Sequence, residues 1–324
     1  MQRSLLLAIA VALASGLPVT ASAQTFPSKP IRIVVPFPAG GTSDILTRLI
    51  GSKMNEAWGQ QVLADNRPGA NGNIGADMVA RAAPDGHTLV LMDVGNLAIS
   101  PSVFAKLPFD IIKDFAPVTV VSYSPHILAT HPSMPAKTVK EIITLAKARP
   151  GKLNYATGLG GAPHMAGLMF AYRSGINWAY IPTKGGFANI MLVTTGEADL
   201  LFNGMLATLP HTKSGRLRLI AVSSEKRFPT LPDTPVVAET PGLDGFVTGS
   251  WQGVLAPAKT PPELVTRLQT EIARIIHTPD MKEKLSTQGA DPIGNSPAEM
   301  AKWLAAEKDR WAKLIKATGF KLEN

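Results

Sequence analysis

The stretch Ile31-Arg32-Ile33-Val34-Val35-Pro36-Phe37-Pro38-Ala39-Gly40-Gly41-Thr42-Ser43-Asp44 passes from one structural period to another. Ile31 to Val35 is a short apolar run rich in β-branched residues and closed by Pro36, the pattern of a buried strand. Beyond it Ile45, Leu46, Leu49, Ile50, Met54 and Trp58 recur at helical spacing, with Gly59 just past the end as a helix stop. The alternation continues outward. Gln61 to Ala64 reads as a second strand, Asn66 to Gly75 is glycine-rich, and Ile74 to Ala82 reads as a second helix. Pro84-Asp85-Gly86 turns the chain into a strand over His87 to Met92. A β-α-β-α-β order is one half of a doubly wound α/β sheet.

The middle of the chain repeats this grammar. Val118 to Ala129 reads as extended structure interrupted at Ser124-Pro125. Helices are expected over Thr138 to Ala148, Pro163 to Arg173, Phe187 to Thr194 and Leu206 to Lys213. Strands are expected over Leu153 to Ala156, Trp178 to Ile181, Ala198 to Phe202 and Leu217 to Ser223. Gly245 to Ala256 is extended again and leads to helices over Pro262 to Ile276, Asp280 to Gln288 and Pro297 to Ala317. Extended crossings near Tyr123–Ile127 and Thr248–Gly253 imply two lobes joined by two strands. Residues 24–124 with 250–324 would form one lobe and 125–249 the other, the terminal helices returning to the first.

Composition narrows the class. With no Cys among 324 residues, a disulfide scaffold, a thiolate metal site and a cysteine nucleophile are excluded. Charged residues are 17% against 45% hydrophobic, which excludes a disordered polycation. Met1 to Ala23 reads as a secretory signal peptide. Arg3 gives its positive start, Leu5 to Leu13 its apolar run, and Ala21-Ser22-Ala23 its cleavage site after Ala23. Nothing later is long and apolar enough to span a bilayer, so a soluble periplasmic product is expected. The net charge of +8 falls by one with Arg3 and is spread. Its densest stretch, Lys302 to Lys321, reads as an amphipathic helix with a solvated basic face, and no nucleic-acid-binding pattern accompanies it.

In open α/β sheets ligands bind beyond the carboxyl ends of strands, where loops feed helix N-termini. Those ends present unpaired N–H groups and a partial positive charge, suited to a carboxylate or phosphate. The Pro36–Asp44 loop has this placement. Gly40 and Gly41 allow close backbone approach, Thr42 and Ser43 carry hydroxyls, and Asp44 can cap; an ordinary capped turn is the alternative reading. Thr157 to His164 is placed alike but fails the dinucleotide fingerprint, because Pro163 stands at the third glycine position. His164 reads as a helix-start residue rather than a base. Gly151-Lys152 fails the P-loop pattern at Ala146 and Leu153. No G-x-S-x-G or H-E-x-x-H motif occurs, and the six histidines show no metal spacing. An exported binding protein without metal, cofactor or catalysis is the economical reading.

Ser28-Lys29-Pro30 followed by Ile31 to Gly41 resembles the opening of the Bug family, the extracytoplasmic receptors of tripartite tricarboxylate transporters. The likeness continues through Asn66 to Ala76, Ala83-Pro84-Asp85-Gly86, Lys113 to Val118, Pro150 to Ala156, Leu231 to Pro235 and Leu255 to Ala258. The resemblance implies a two-lobe periplasmic-binding-protein (Venus flytrap) architecture and a monomer that closes on a small organic carboxylate. It implies delivery to a two-component membrane permease; a sensor kinase is the alternative partner, and an exported hydrolase or a polyanion binder are more remote readings. By position, Phe37, Ala39, Gly40, Gly41, Thr42, Ser43 and Asp44 resemble the family's carboxylate cradle. Thr157, Gly158, Gly160, Gly161, Ala162 and His164 resemble the opposing loop. Asp93 and Asn96, with Lys184 and Asn203, are expected in the pocket walls. Three departures bear on the ligand: Ala162 replaces a usual hydroxyl residue, Thr183 a common Tyr, and Asn203 a frequent acid. They imply a ligand without an amine and with a less polar far end than citrate, an aliphatic or aromatic mono- or dicarboxylate.

Overall fold

The computed structural model describes residues 26–228 and 230–320, so the leader expected over Met1–Ala23 lies outside the described residues. The chain begins β1 (Ile31–Val35), α1 (Thr42–Trp58), β2 (Val62–Asn66), α2 (Asn73–Ala80) and β3 (Thr88–Asp93). A π-helical turn, Gly95–Ile99, and a short helix, Ser100–Val103, lead to β4 (Phe115–Thr130). The middle carries α3 (Val139–Ala148), β5 (Asn154–Thr157), α4 (Ala162–Ser174), β6 (Ala179–Pro182), α5 (Gly186–Thr194), β7 (Leu200–Gly204), α6 (Met205–Lys213) and β8 (Arg218–Val222). The chain ends β9 (Gly249–Pro257), α7 (Pro262–Ile276), α8 (Pro279–Ser286), β10 (Asp291–Pro292) and α9 (Pro297–Thr318).

β1 lies between β2 and β3, parallel to both, and β9 runs antiparallel to β3. β5, β6 and β7 form a second parallel group. β4 belongs to both. It pairs with β9 from Phe115 to Pro125, then with β7 and β8 from His126 onward. The interruption expected at Ser124-Pro125 is therefore absent: the strand is continuous. Proline is tolerated there because its missing N–H falls where one partner strand gives way to the next. Other strands run later than their apolar residues imply. The second occupies Val62–Asn66 rather than Gln61–Ala64, and the seventh Leu200–Gly204 rather than Ala198–Phe202. Their ladders extend into polar or small residues at the carboxyl ends.

The three C-terminal helices pack on the first sheet. Leu268, Ile272 and Ile276 of α7 share a core with Ile31 and Ile33 of β1 and with Ile50 and Met54 of α1. On the opposite face Met300, Leu304 and Trp311 of α9 pack with Val90, Met92 and Trp251. Both helices bury one apolar stripe and leave their charged faces exposed. The second sheet has an aromatic core, in which Trp178 stacks on Tyr155 at 4.7 Å and on Phe170 at 5.5 Å between ring centroids.

That core leaves no room at Gly167 of α4. A Cβ there would lie 2.5 Å from Tyr155 Cζ. The ring cannot retreat, because its hydroxyl donates to the Pro163 carbonyl and accepts from the Phe202 N–H. Gly167→Ala should therefore destabilise the fold by about 1–3 kcal/mol through overpacking, read as a lower denaturation midpoint with the ligand response otherwise retained.

Candidate functional site

The strands of both sheets end on one cleft, and the helices that follow three of them start at its walls. α1 begins after Gly41, α4 after Gly161 and α5 after Gly185. None of these three N-caps supplies a side-chain hydrogen bond to its helix. Elsewhere the chain does cap: Thr138 accepts from the Glu141 N–H at α3, and Ser296 with Glu299 forms a capping box at α9. The uncapped starts keep their first N–H groups available to a guest, and each end carries about half a positive charge. Asn71 adds a donor. It lines the cavity, and its buried Nδ2 finds no protein partner.

The walls approach closely. A Cβ on Gly204 would lie 3.1 Å from Thr42 Oγ1, and one on Gly40 would lie 3.1 Å from the Phe187 ring. Between them is a cavity of about 70 Å³, with an adjoining cavity of about 450 Å³ lined partly by Pro68 to Gly72 and by Pro182 to Gly185. Phe37 and Phe187 give the inner cavity aromatic surface.

Nine of the seventeen residues expected at the site from sequence line the inner cavity: Phe37, Gly41, Thr42, Ser43, Asp93, Gly158, Gly161, Ala162 and Asn203. Lys184 lines the outer cavity. The remaining seven, Ala39, Gly40, Asp44, Asn96, Thr157, Gly160 and His164, line neither. Asp44 is no cap in the ordinary sense. From inside α1 it reaches back to the Gly40 N–H at 3.0 Å, and it accepts from Arg48 and Asn66. Burial works against its charge, but those bonds prevail and hold its carboxyl below the usual range. Asn96 is buried and donates to the Asn71 carbonyl. Thr157 is buried beneath the loop, and Gly160 donates its N–H to His164 Nδ1 at 3.2 Å. His164 is boxed between Tyr180 and Phe320, and burial pushes its pKa down to about 4.

Sequence reasoning missed the third wall, from Gly185 to Asn189, together with Asn71, Ser250 and Gln252. A signal was present. Gly185-Gly186 follows a strand and opens a helix, as Gly40-Gly41 and Gly160-Gly161 do. Asn203 does not reach out: its Nδ2 donates to Thr208 Oγ1 at 2.9 Å and to the Gly186 carbonyl at 3.3 Å.

Asp93 is the only ionisable side chain among the described residues lining the inner cavity. Burial pushes its carboxyl up to about 6, against hydrogen bonds from the Gly95 N–H, the Ser250 hydroxyl and the Asn96 N–H. Ser250 is held in turn by His126 Nε2 at 3.0 Å, whose Nδ1 meets Thr248 Oγ1 at 3.1 Å. This chain of groups crosses between β4 and β9 where the two sheets meet. No group of metal-binding side chains occurs among the described residues, and none of their helices is long and apolar enough to cross a membrane.

Two sheets sharing a long strand, with a cleft ringed by helix starts, make this a two-lobe solute-binding protein of the periplasmic-binding-protein type. Solved structures agree. Rpa4515 of R. palustris, determined with adipate, is 35% identical with a TM-score of 0.89, covering 92% of this chain and 100% of that one. The periplasmic binding protein BugD is 31% identical with a TM-score of 0.87 over 92% of this chain and 100% of its own. MatC from Rhodopseudomonas palustris with bound malate is 29% identical with a TM-score of 0.84, covering 90% and 100%. By sequence, BugT of Bordetella pertussis is 34% identical over 95% of both chains. A protein encoded between tcbD and tcbE in Pseudomonas sp. (strain P51) is 35% identical over 97% of this chain and 94% of its own. Residues 46–320 match the tripartite tricarboxylate transporter family receptor. The chain belongs to that family, the Bug receptors, and it is a solute-binding receptor rather than an enzyme.

The buried histidine gives a test of this packing. Burial, then the charge of Arg310, lowers His126 from 6.5 to about 3. The unfolded chain therefore binds more protons than the folded one within that window, so the stability present above pH 6.5 is lost as pH falls toward 3. The slope is about 1.4 kcal/mol per pH unit. Asp93 acts in the opposite sense, but it is common to wild type and His126→Gln. The stability difference between the two should therefore shrink at that slope in acid denaturation series, and a constant difference would contradict a buried neutral imidazole.

Proposed function

We propose that this chain is a periplasmic receptor that captures a small carboxylate and presents it, closed, to a two-component membrane permease. On this reading the leader is removed after Ala23 and the receptor acts as a monomer. Residues 24–124 with 250–324 and residues 125–249 are the two lobes, closing about β4 and β9. One observation carries the proposal: three uncapped helix N-termini and the Thr42 and Ser43 hydroxyls converge on a cavity whose lining holds no Lys or Arg. An anion can be held there by backbone N–H groups alone, as at other helix N-termini.

Phe37 and Phe187 suit an apolar ligand body, either an aliphatic chain or a ring. Asn203, neutral and already bonded to Thr208 and Gly186, offers no charge to an ammonium group. Relatives solved with adipate and malate fit this class. The ligand class is therefore an amine-free mono- or dicarboxylate.

A thermal-shift series with adipate, malate, benzoate, aspartate and glutamate tests the reading, because a ligand selective for the native state raises the melting temperature. Adipate, malate or benzoate should give the larger shifts. Thr42→Ala and Ser43→Ala should each weaken binding about fivefold, the equivalent of one hydrogen bond of about 1 kcal/mol, and leave the unliganded melting temperature nearly unchanged. Tighter binding of aspartate or glutamate than of every plain carboxylate would remove the amine-free assignment. Unaltered affinity in both variants would remove the cradle.

A further inference from the structure

Asp93 places an acidic side chain in a site suited to anions. It ends β3 on the cavity floor, and the groups around it are uncharged. α1 contributes Thr42 and Ser43, the start of α4 contributes Gly161 and Ala162, and β9 contributes Ser250 and Gln252. From the turn after β3 come the N–H groups of Gly95, at 2.6 Å from Oδ1, and Asn96. The next titratable group is His126 on β4, reached only through Ser250 and held neutral by burial. Lys184 stands in the outer cavity, not beside Asp93. The Gly95, Asn96 and Ser250 donors occupy three of the about four acceptor positions of a carboxylate. One side is left for a guest.

The charges decide what that guest can be. Three helix ends supply about half a positive charge each. An ionised Asp93 already offsets most of this. A fully ionised dicarboxylate would add two negative charges in a cavity with no Lys or Arg in its wall, and like carboxylates brought together cannot both stay ionised.

We propose that Asp93 reads the far end of the ligand and that a dicarboxylate is captured together with one proton from solvent, shared between Asp93 and the ligand's far carboxyl. The proposal rests on the carboxylate reading above and adds to it that capture is proton-linked. The raised pKa of Asp93 in the free protein, about 6, places the onset of this linkage just below neutral pH. In such a pair the proton belongs to both groups. Ser250 and His126 are positioning residues, fixing the Asp93 carboxyl from behind.

The test compares adipate with its mono-amide, whose far end is a neutral donor and needs no proton, on the full mature chain between pH 6.5 and 8. Adipate affinity should fall about tenfold per pH unit, while that of the mono-amide stays within about threefold. Calorimetry in two buffers of different ionisation enthalpy should show uptake approaching one proton per adipate at pH 7.5 and none for the mono-amide. Asp93→Asn should abolish the adipate slope and proton uptake, the pH dependence rather than the absolute affinity being the readout. A pH-independent adipate affinity without proton uptake overturns the proposal, as does a slope that persists in Asp93→Asn. The wild-type proton count stands even if the variant fails to fold. Binding of neither ligand at any pH would overturn the carboxylate reading itself, and this proposal with it.

Discussion

Backbone N–H groups at a helix start must find an acceptor, and in this protein three sets of them are left open on one cleft. The rest of the architecture follows from that constraint. Parallel strands deliver the chain to the same edge each time, so the helices that follow begin side by side. Glycines at the junctions let the backbone approach a guest closely without side-chain obstruction. Gly40, Gly160 and Gly185 sit at φ 87°, 78° and 137°, conformations that side-chain-bearing residues rarely adopt. Cap residues are withheld here and supplied at α3 and α9, away from the cleft. The lobes meet across those open ends, which lowers the effective dielectric around whatever they hold.

The order of strands and helices was legible from hydrophobic period, because a buried strand and an amphipathic helix bury different faces. Two kinds of feature escaped. Strand ends were read too early, since the ladder of β2, β5 and β7 continues into Asn66, Thr157 and Asn203-Gly204, where polarity hides the pairing. The turn Gly95–Ile99 escaped because a buried apolar stretch of that length has no distinguishing period.

The site was legible where chemistry was local. Phe37, Gly41 to Ser43, Gly158, Gly161 and Ala162 line the inner cavity because a strand-to-helix junction fixes their position from sequence alone. Asp44 and His164, expected in the cradle and the opposing loop, line neither cavity for the opposite reason. Their polar atoms look free in sequence, yet each turns back to brace its own loop, Asp44 onto the Gly40 N–H and His164 onto the Gly160 N–H. Ser250 and Gln252 were illegible: they sit in a strand whose sequence partners lie far away, and the β3–β9 and β4–β9 registers bring them to the floor.

The sheet of β1, β2, β3 and β9 takes two of its covering helices, α7 and α9, from much later in the sequence. The sheet of β5, β6 and β7 is assembled from neighbours in sequence. During synthesis the second can close its core early, while the first keeps part of its apolar faces open until α7 and α9 have emerged. Completion of the first sheet's core thus waits on helices made after the second sheet. A truncated product would carry a finished half beside an open one, a form that proteases and chaperones recognise by its exposed apolar surface.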